Sequence, residues 1–587
     1  MADATKVFHD REVLLAAQER GSLSVLGAFF RLSGPGWLQS AITLGGGSLG
    51  SALYLGVLGG SPMLWLNLLA IIVGVIMLSA ISYVVLSSGE RPYKAINEHV
   101  NPVLGVGWIT ATIMANIIWC MPQFSLCFDI LNKNLLPGVV SDTDGMKYGI
   151  SVALLVLAFT MVYLSLQGGW ASKMFDIVLK LLIGMVVICF VAAVVNLSRQ
   201  GELNWNEILQ GLIPNFGQWV HPTPVIAGLI ESAPESMREF WTKEIITNQR
   251  NVMISTTATV VGINMTFLLP YSMLNRGWDR PFRGLARFDL ITGMAIPFVL
   301  VTGCIVIASA YSFHGKADES FLSSDPAEVQ KSRLFNGAAA TLTARMKADN
   351  PAIFTEVDAI EDGEAKAAAT TALLADYVSK MPEAERKLAA TLVKPNAGQL
   401  AQSLAPLLGE GTANLVFGLG AFGMGFSTII ILMMINGFAI AELVGLPDNT
   451  PIKVGGALLA GIVGAMWPLI WAGQSKTWLI IMASTFGAIL LPIAYIAFFA
   501  LMNSRSLLKD DMPTGGWRWL WNFLMVFGVI AALAQAGSSL YTKLVDPATG
   551  SLIVPDSGSL VLGGVVTFAL LAIVGFSATA WQSSQET

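Results

Sequence analysis

The chain has 587 residues, 54% of them hydrophobic and only 12% charged, with a formal net charge of −5. A soluble domain carries about twice that charged fraction, and a nucleic-acid binder carries a basic surface, so both classes are excluded. The apolar residues fall in blocks longer than about eighteen, enough to cross a bilayer, and the sequence therefore predicts an all-α polytopic membrane protein.

Residues 1–32 carry Asp10, Arg11, Glu12, Glu19 and Arg20, which fits a cytoplasmic amphipathic lead-in better than a cleaved signal. The first span runs from Ser33-Gly34-Pro35-Gly36-Trp37 to Leu58, and Gly45-Gly46-Gly47-Ser48 lies at its midpoint. Each glycine costs a helix interior up to about 1 kcal/mol relative to alanine, so the helix should open there. Lipid cannot satisfy the backbone groups that such an opening frees, and broken spans at mid-membrane are where secondary transporters hold their substrates. Gly45 to Ser48 are thus read as one wall of a binding site, against the alternative of a close helix crossing through small residues.

Further spans are expected at 62–87, 104–131, 147–166, 174–197, 251–273, 288–312, 413–441, 455–472, 477–502, 516–540 and 558–581, about twelve in all. Arg91, Lys94, Arg276, Arg280, Arg283, Arg287, Arg505 and Lys509 cluster in short loops, which places those loops and both termini in the cytoplasm. The resulting plan has a lead-in at 1–32, spans one to five in 33–197, and an outer loop with surface helices at 198–250. Spans six and seven occupy 251–312, an outer helical insertion 313–410, spans eight to twelve 411–581, and a cytoplasmic tail 582–587. The alanine-rich insertion, with Glu356, Asp358, Glu361, Asp362 and Glu364, reads as a water-facing regulatory cap or spacer without a strong apolar core.

The second irregular point is Gly262-Ile263-Asn264-Met265-Thr266-Phe267-Leu268-Leu269-Pro270-Tyr271 in span six. Pro270 removes a donor and should free the carbonyls near Thr266, while Asn264 and Thr266 add polarity at that depth. Breaks in spans one and six, five spans apart, fit two inverted five-helix repeats. Cys120, Cys127, Cys189 and Cys304 lie in apolar segments without metal-ligand spacing, and His9, His99, His221 and His314 are dispersed. With no nucleophile beside a base, no phosphate loop and no paired intramembrane carboxylates, neither an enzyme nor a bound cofactor is expected.

Several motifs, in order, resemble those of the Nramp divalent metal transporters: Ser33-Gly34-Pro35-Gly36-Trp37-Leu38, Gly211-Leu212-Ile213-Pro214, Leu269-Pro270-Tyr271 and Arg287-Phe288-Asp289. Phe417-Gly418-Leu419-Gly420, Ser427-Thr428-Ile429 and Leu491-Pro492 continue the series. The resemblance implies a LeuT-like fold of 5+5 inverted repeats in a proton-coupled carrier. It also places this chain's departures: the family's metal-binding Asp falls at Gly45, its Asn at Ser48, its Met at Leu269, its His at Tyr271 and its span-ten Gln at Ser484. Met265 is the alternative register for the Met. Two proton-route carboxylates of span three fall at Cys120 and Gln123.

Two transport readings follow, besides a non-transporting receptor on the same fold. In the first, a divalent cation such as Mg²⁺ keeps its water and is held through Thr43, Ser48, Asn264 and backbone carbonyls, with Asp129 as a candidate counter-charge. In the second, a small organic or anionic solute sits on the N–H groups of Gly46, Gly47 and Ser48, shaped by Tyr271 and Trp119. The full candidate site is Thr43, Gly45, Gly46, Gly47, Ser48, Asn264, Thr266, Pro270, Tyr271 and Ser484. The expected partners are the lipid bilayer, one such solute or ion, and a coupling ion. The expected location is the bacterial inner membrane.

Overall fold

A computed structural model describes residues 4–544 apart from 168, 351–362, 396–397, 400, 402–408 and 471–475. The expected twelfth span, 558–581, and the tail 582–587 lie outside the described residues. Among those described, no β-strand occurs and eight helices are long and apolar enough to cross a membrane, or ten if each bent pair is one span.

The lead-in folds into α1 (Ala4–Arg20) and α2 (Ser22–Leu32). Span one is α3 (Pro35–Thr43) followed by α4 (Gly46–Tyr54) and a π-helical turn, Leu55–Gly59, its two halves bent by 51°. Spans two to five are α5 (Leu64–Ser88), α7 (Pro102–Ile130), α8 (Asp144–Gln167) and α9 (Gly169–Arg199), with α6 (Pro92–His99) before span three. Short helices α10 (Trp205–Gln210) and α11 (Pro224–Glu231) lead to span six.

Span six is α12 (Glu235–Val260) and α13 (Ile263–Asn275), and its break differs from the expected one. It falls at Val261 and Gly262, both extended, while Pro270 sits inside α13 without ending it. The physical reason is that a proline disturbs only the carbonyl four residues before it, whereas Gly262 lets the chain leave helical geometry altogether. Helix α12 also runs unbroken through residue 250, so the charged stretch from Glu235 onward is the projecting end of span six.

Span seven comprises α14 (Arg283–Leu290), a π turn at Ile291–Ala295 and α15 (Ile296–Phe313). The insertion then supplies α16 (Pro326–Lys331), α17 (Phe335–Asp349), α18 (Gly363–Lys380) and α19 (Glu383–Leu392). Span eight is α20 (Glu410–Leu443). The ninth is short, α21 (Thr450–Ala465), and turns at Met466 into α22 (Trp467–Ile470). Helix α23 (Lys476–Met502), α24 (Arg505–Leu508) and α25 (Gly515–Leu544) complete the described chain.

Contrary to the sequence expectation, the insertion has an apolar core, in which Phe321, Phe335, Leu342, Val378 and Leu388 are buried with Trp241 of α12. Burying side chains of this size contributes about 1.5–3 kcal/mol each, enough to fold the segment as a cap. A buried carboxylate, Glu385, accepts from Arg345 Nε at 2.5 Å and Nη2 at 3.0 Å. Burial works against the Arg345 charge, but the hydrogen bond and charge of Glu385 outweigh it and raise its pKa above the usual value.

The opposite end of the bundle gathers the arginines. Arg11 pairs with Asp279 at 3.1 Å, Arg280 and Arg283 with Asp511 at 2.8 and 3.1 Å, and Arg91 with Glu442 at 3.1 Å. On this side the start of α3 is fastened to span seven. The carboxylate of Asp289 accepts from the N–H groups of Gly34 (3.0 Å) and Gly36 (2.6 Å) and from the Ser33 hydroxyl. A helix start has unpaired N–H groups, and here a buried anion takes them at the favourable end of the dipole. Asp289→Ala is expected to cost about 3 kcal/mol by stranding these donors, with Asp289→Asn milder because one oxygen acceptor remains. Thermal unfolding of the two variants in detergent should rank wild type, Asn, Ala in falling order.

Candidate functional site

Both breaks open onto one cavity of about 480 Å³, its mouth included. Span one contributes Ile42, Gly45, Gly47 and Ser48, and span six contributes Ala258, Thr259, Gly262, Ile263, Asn264 and Met265. Ala115, Trp119 and Gln123 of span three, Thr428 and Leu432 of span eight, and Gly487 of span ten close it. None of these side chains is ionisable at neutral pH.

The freed backbone groups around the cavity are taken by named side chains. Ser427 and Thr428 hydroxyls each donate to Ala41 O at 3.1 Å, and the Ser48 hydroxyl donates to Thr43 O at 2.5 Å. Gln123 Oε1 accepts the Gly46 N–H at 2.9 Å, and Asn264 Oδ1 accepts the Met265 N–H at 3.0 Å. The two breaks are also joined to each other. Ser48 Oγ reaches Thr259 O at 3.3 Å, Ser51 and Thr259 hydroxyls lie 2.9 Å apart, and Thr43 Oγ1 donates to Met265 Sδ at 3.4 Å.

The three glycines also permit close packing. A Cβ on Gly45 would lie 2.5 Å from Thr428 Oγ1, one on Gly46 2.6 Å from Gln123 Oε1, and one on Gly47 2.7 Å from the Trp119 ring. The break and the tight helix contact, set against each other as alternatives from sequence, are therefore present together. Gly45 is extended, and Gly46, Gly47 and Ser48 already form the first turn of α4.

Of the candidate residues, Gly45, Gly47, Ser48 and Asn264 line the cavity, while Thr43 and Gly46 adjoin it through the hydrogen bonds above. Thr266, Pro270, Tyr271 and Ser484 are buried elsewhere. Thr266 accepts from Trp108 Nε1 at 3.0 Å. Tyr271 stacks on Phe267 with ring centroids 4.1 Å apart, its hydroxyl 3.4 Å from the Tyr93 N–H. In span six Met265 faces the cavity and Leu269 does not. Asp129 is bound to Lys133 at 2.8 Å, outside the cavity lining.

Sequence reasoning overlooked Thr259, Thr428, Gly487 and the capping role of Gln123. The sequence shows Gln123 only as an amide two turns along an apolar helix from Asn116, and the structure buries both fully. Its Nε2 is buried without a hydrogen-bond partner beside the cavity. The one cluster among the described residues with metal-ligand chemistry, Glu90, Glu98 and His99, lies in the segment joining spans two and three, partly on α6, and outside this lining.

Paired breaks in spans one and six, around a buried polar cavity, define the LeuT-like class of membrane transport folds. The chain matches the family profile described as Natural resistance-associated macrophage protein-like over residues 36–344 and 382–537, and it belongs to that Nramp family. Among solved structures it is similar to two point variants of the Eremococcus coleocola manganese transporter, at 12% and 13% identity. Both have a TM-score of 0.52 and 96% coverage of each chain. The same transporter in complex with an aromatic bis-isothiourea substituted compound gives 0.51, 13% identity and 97% coverage of each chain. At these identities the likeness establishes the fold. Comparison with curated sequences gives no match.

Introducing a carboxylate at the break is expected to be sterically blocked. Gly45→Asp should lower thermal stability, and adding Thr428→Ala should recover about 1 kcal/mol through the shared contact. A double-mutant cycle of unfolding midpoints measures this coupling.

Proposed function

We propose that the chain is a secondary transporter of divalent cations that carries its ion with the inner water shell largely retained. Membership of the Nramp family supports the cation, and one observation carries the hydrated form: among aliphatic and indole side chains, the polar groups lining the cavity at the breaks are hydroxyls and carboxamides with one thioether, and no lining side chain is ionised. A bare divalent ion in the low-dielectric interior needs anionic ligands to replace its water. A hydrated ion needs only acceptors for its water protons, and Mg²⁺ sheds water reluctantly. The C-terminal ends of α3 and α12, the negative ends of those helices, lie at the two breaks. The arginine-rich face carries Arg91, Arg276, Arg280 and Arg283 together with α1, which supports a cytoplasmic assignment for that face and for the N-terminus.

One feature favours a second reading, a small solute bearing acceptor oxygens. Gln123 Oε1 already accepts the Gly46 N–H, and its Nε2, buried beside the cavity without a hydrogen-bond partner, is a donor open to a ligand.

Hexaamminecobalt(III) separates inner-shell from outer-shell recognition, because its ligands do not exchange and it matches a hydrated Mg²⁺ ion in size. In proteoliposomes it should compete with Mg²⁺ uptake, and Asn264→Leu should abolish both. Uptake of Mn²⁺ that is indifferent to hexaamminecobalt(III) and lost in Met265→Ala would overturn the hydrated reading. Cation-independent uptake of a carboxylate, lost in Gln123→Leu, would install the second.

A further inference from the structure

The cap is not a freestanding domain on the loop between spans seven and eight. Its buried core is completed by residues from both broken spans: Leu58, at the end of span one, and Met237, Trp241 and Ile245 of α12, in span six. Trp241 Nε1 donates to Glu385 Oε2 at 2.8 Å, so the indole shares its acceptor with Arg345 and anchors α12 to α17 and α19. Arg345 also donates to the Tyr377 hydroxyl of α18 at 2.5 Å, and Tyr377 donates to Asp349 at 2.8 Å. One arginine serves two carboxylates here, Glu385 fully enclosed and Asp349 half-exposed, so breaking the inner pair leaves a buried charge without its partner.

Span one is held from the same side. Helix α19 packs on the π turn Leu55–Gly59, and His314, where the chain leaves span seven for the cap, lies 2.9 Å from Val57 O through its Nδ1. The His314 ring also sits so close over Gly60 that a Cβ there would be 2.7 Å away. The half-helices gripped in this way are α4 and α12, whose other ends form the cavity wall at Gly47, Ser48 and Thr259. Ser51 and Thr259 join them at that end too.

We propose that the cap is a strap that fixes the cap-side halves of spans one and six to each other, so that they open and close the cavity as one body. The strap acts from a distance, since Glu385 lies outside the cavity lining. It constrains motion without selecting the ligand, so it stands or falls independently of which ion or solute is carried.

Hydrogen exchange on the full-length protein in lipid nanodiscs tests this without any ligand. In the wild type, residues 55–63, 237–250 and 383–393 should share one opening free energy. Glu385→Gln, which keeps the shape and removes the charge, should speed exchange about tenfold in all three segments. Leu58→Ala, a small cavity at the far end of the strap, should speed exchange in 383–393 as well as locally, and it carries the test if Glu385→Gln does not fold. Distinct opening free energies in the wild type overturn the proposal. So do Glu385→Gln effects confined to the cap, or Leu58→Ala effects confined to span one.

Discussion

Two interruptions of backbone hydrogen bonding in the middle of an apolar bundle set the terms for everything around them. Every N–H and C=O freed at Leu44–Gly45 and Val261–Gly262 must find a partner inside the protein, because lipid offers none. Serines 48 and 427, Thr428, Gln123 and Asn264 are those partners, drawn from spans one, eight, three and six. Their side chains reach the backbone only because glycines leave no Cβ in the way. The polar part of the cavity lining, Ser48, Gln123, Asn264 and Thr428, is thus a by-product of satisfying the breaks.

Those groups are all neutral, and this limits the chemistry. Replacing the inner shell of a divalent ion takes anionic ligands, and a fully buried charge without a partner costs several kcal/mol. The nearest carboxylate proposed from sequence, Asp129, is already neutralised by Lys133. Met265 adds a polarisable sulfur, but it is engaged by the Thr43 hydroxyl and brings no charge. What the cavity can offer an ion is a set of oriented dipoles, which suits water molecules already polarised by that ion.

Much of this architecture was legible in the sequence, and the misses have definite causes. Apolar blocks pointed to membrane-crossing helices because bilayer thickness fixes their length. Three consecutive glycines located the first break to within a residue. The second was assigned to Pro270 when Gly262 was the point of rupture, since a proline inside a helix is a visible mark but a mild one where neighbours compensate. The cap core was hidden because its apolar residues, Leu374, Val378 and Leu388 among them, are thinly spaced among alanines, and because Trp241 and Leu58 complete it from far away in the chain. Gln123 and Thr428 became site residues only through long-range packing, which periodicity does not report.

The structure explains why some of the sequence motifs are tightly constrained while the residues at the breaks are less so. Ser33, Gly34 and Gly36 form a single contact with Asp289, so Ser-Gly-Pro-Gly and Arg-Phe-Asp are two halves of one joint. Gly211 takes the Trp65 N–H at 2.7 Å and lies so close to Ser61 that a Cβ would strike its carbonyl. Ser427 and Thr428 hold the end of α3. At Gly36 and Gly211 backbones meet with no room for a side chain, and such joints constrain the fold. The cavity wall at Gly45, Ser48 and Met265 obeys a looser rule, that freed backbone groups be satisfied and the space filled. Neutral side chains meet that rule as well as charged ones, so the fold can be kept while the ligand chemistry changes.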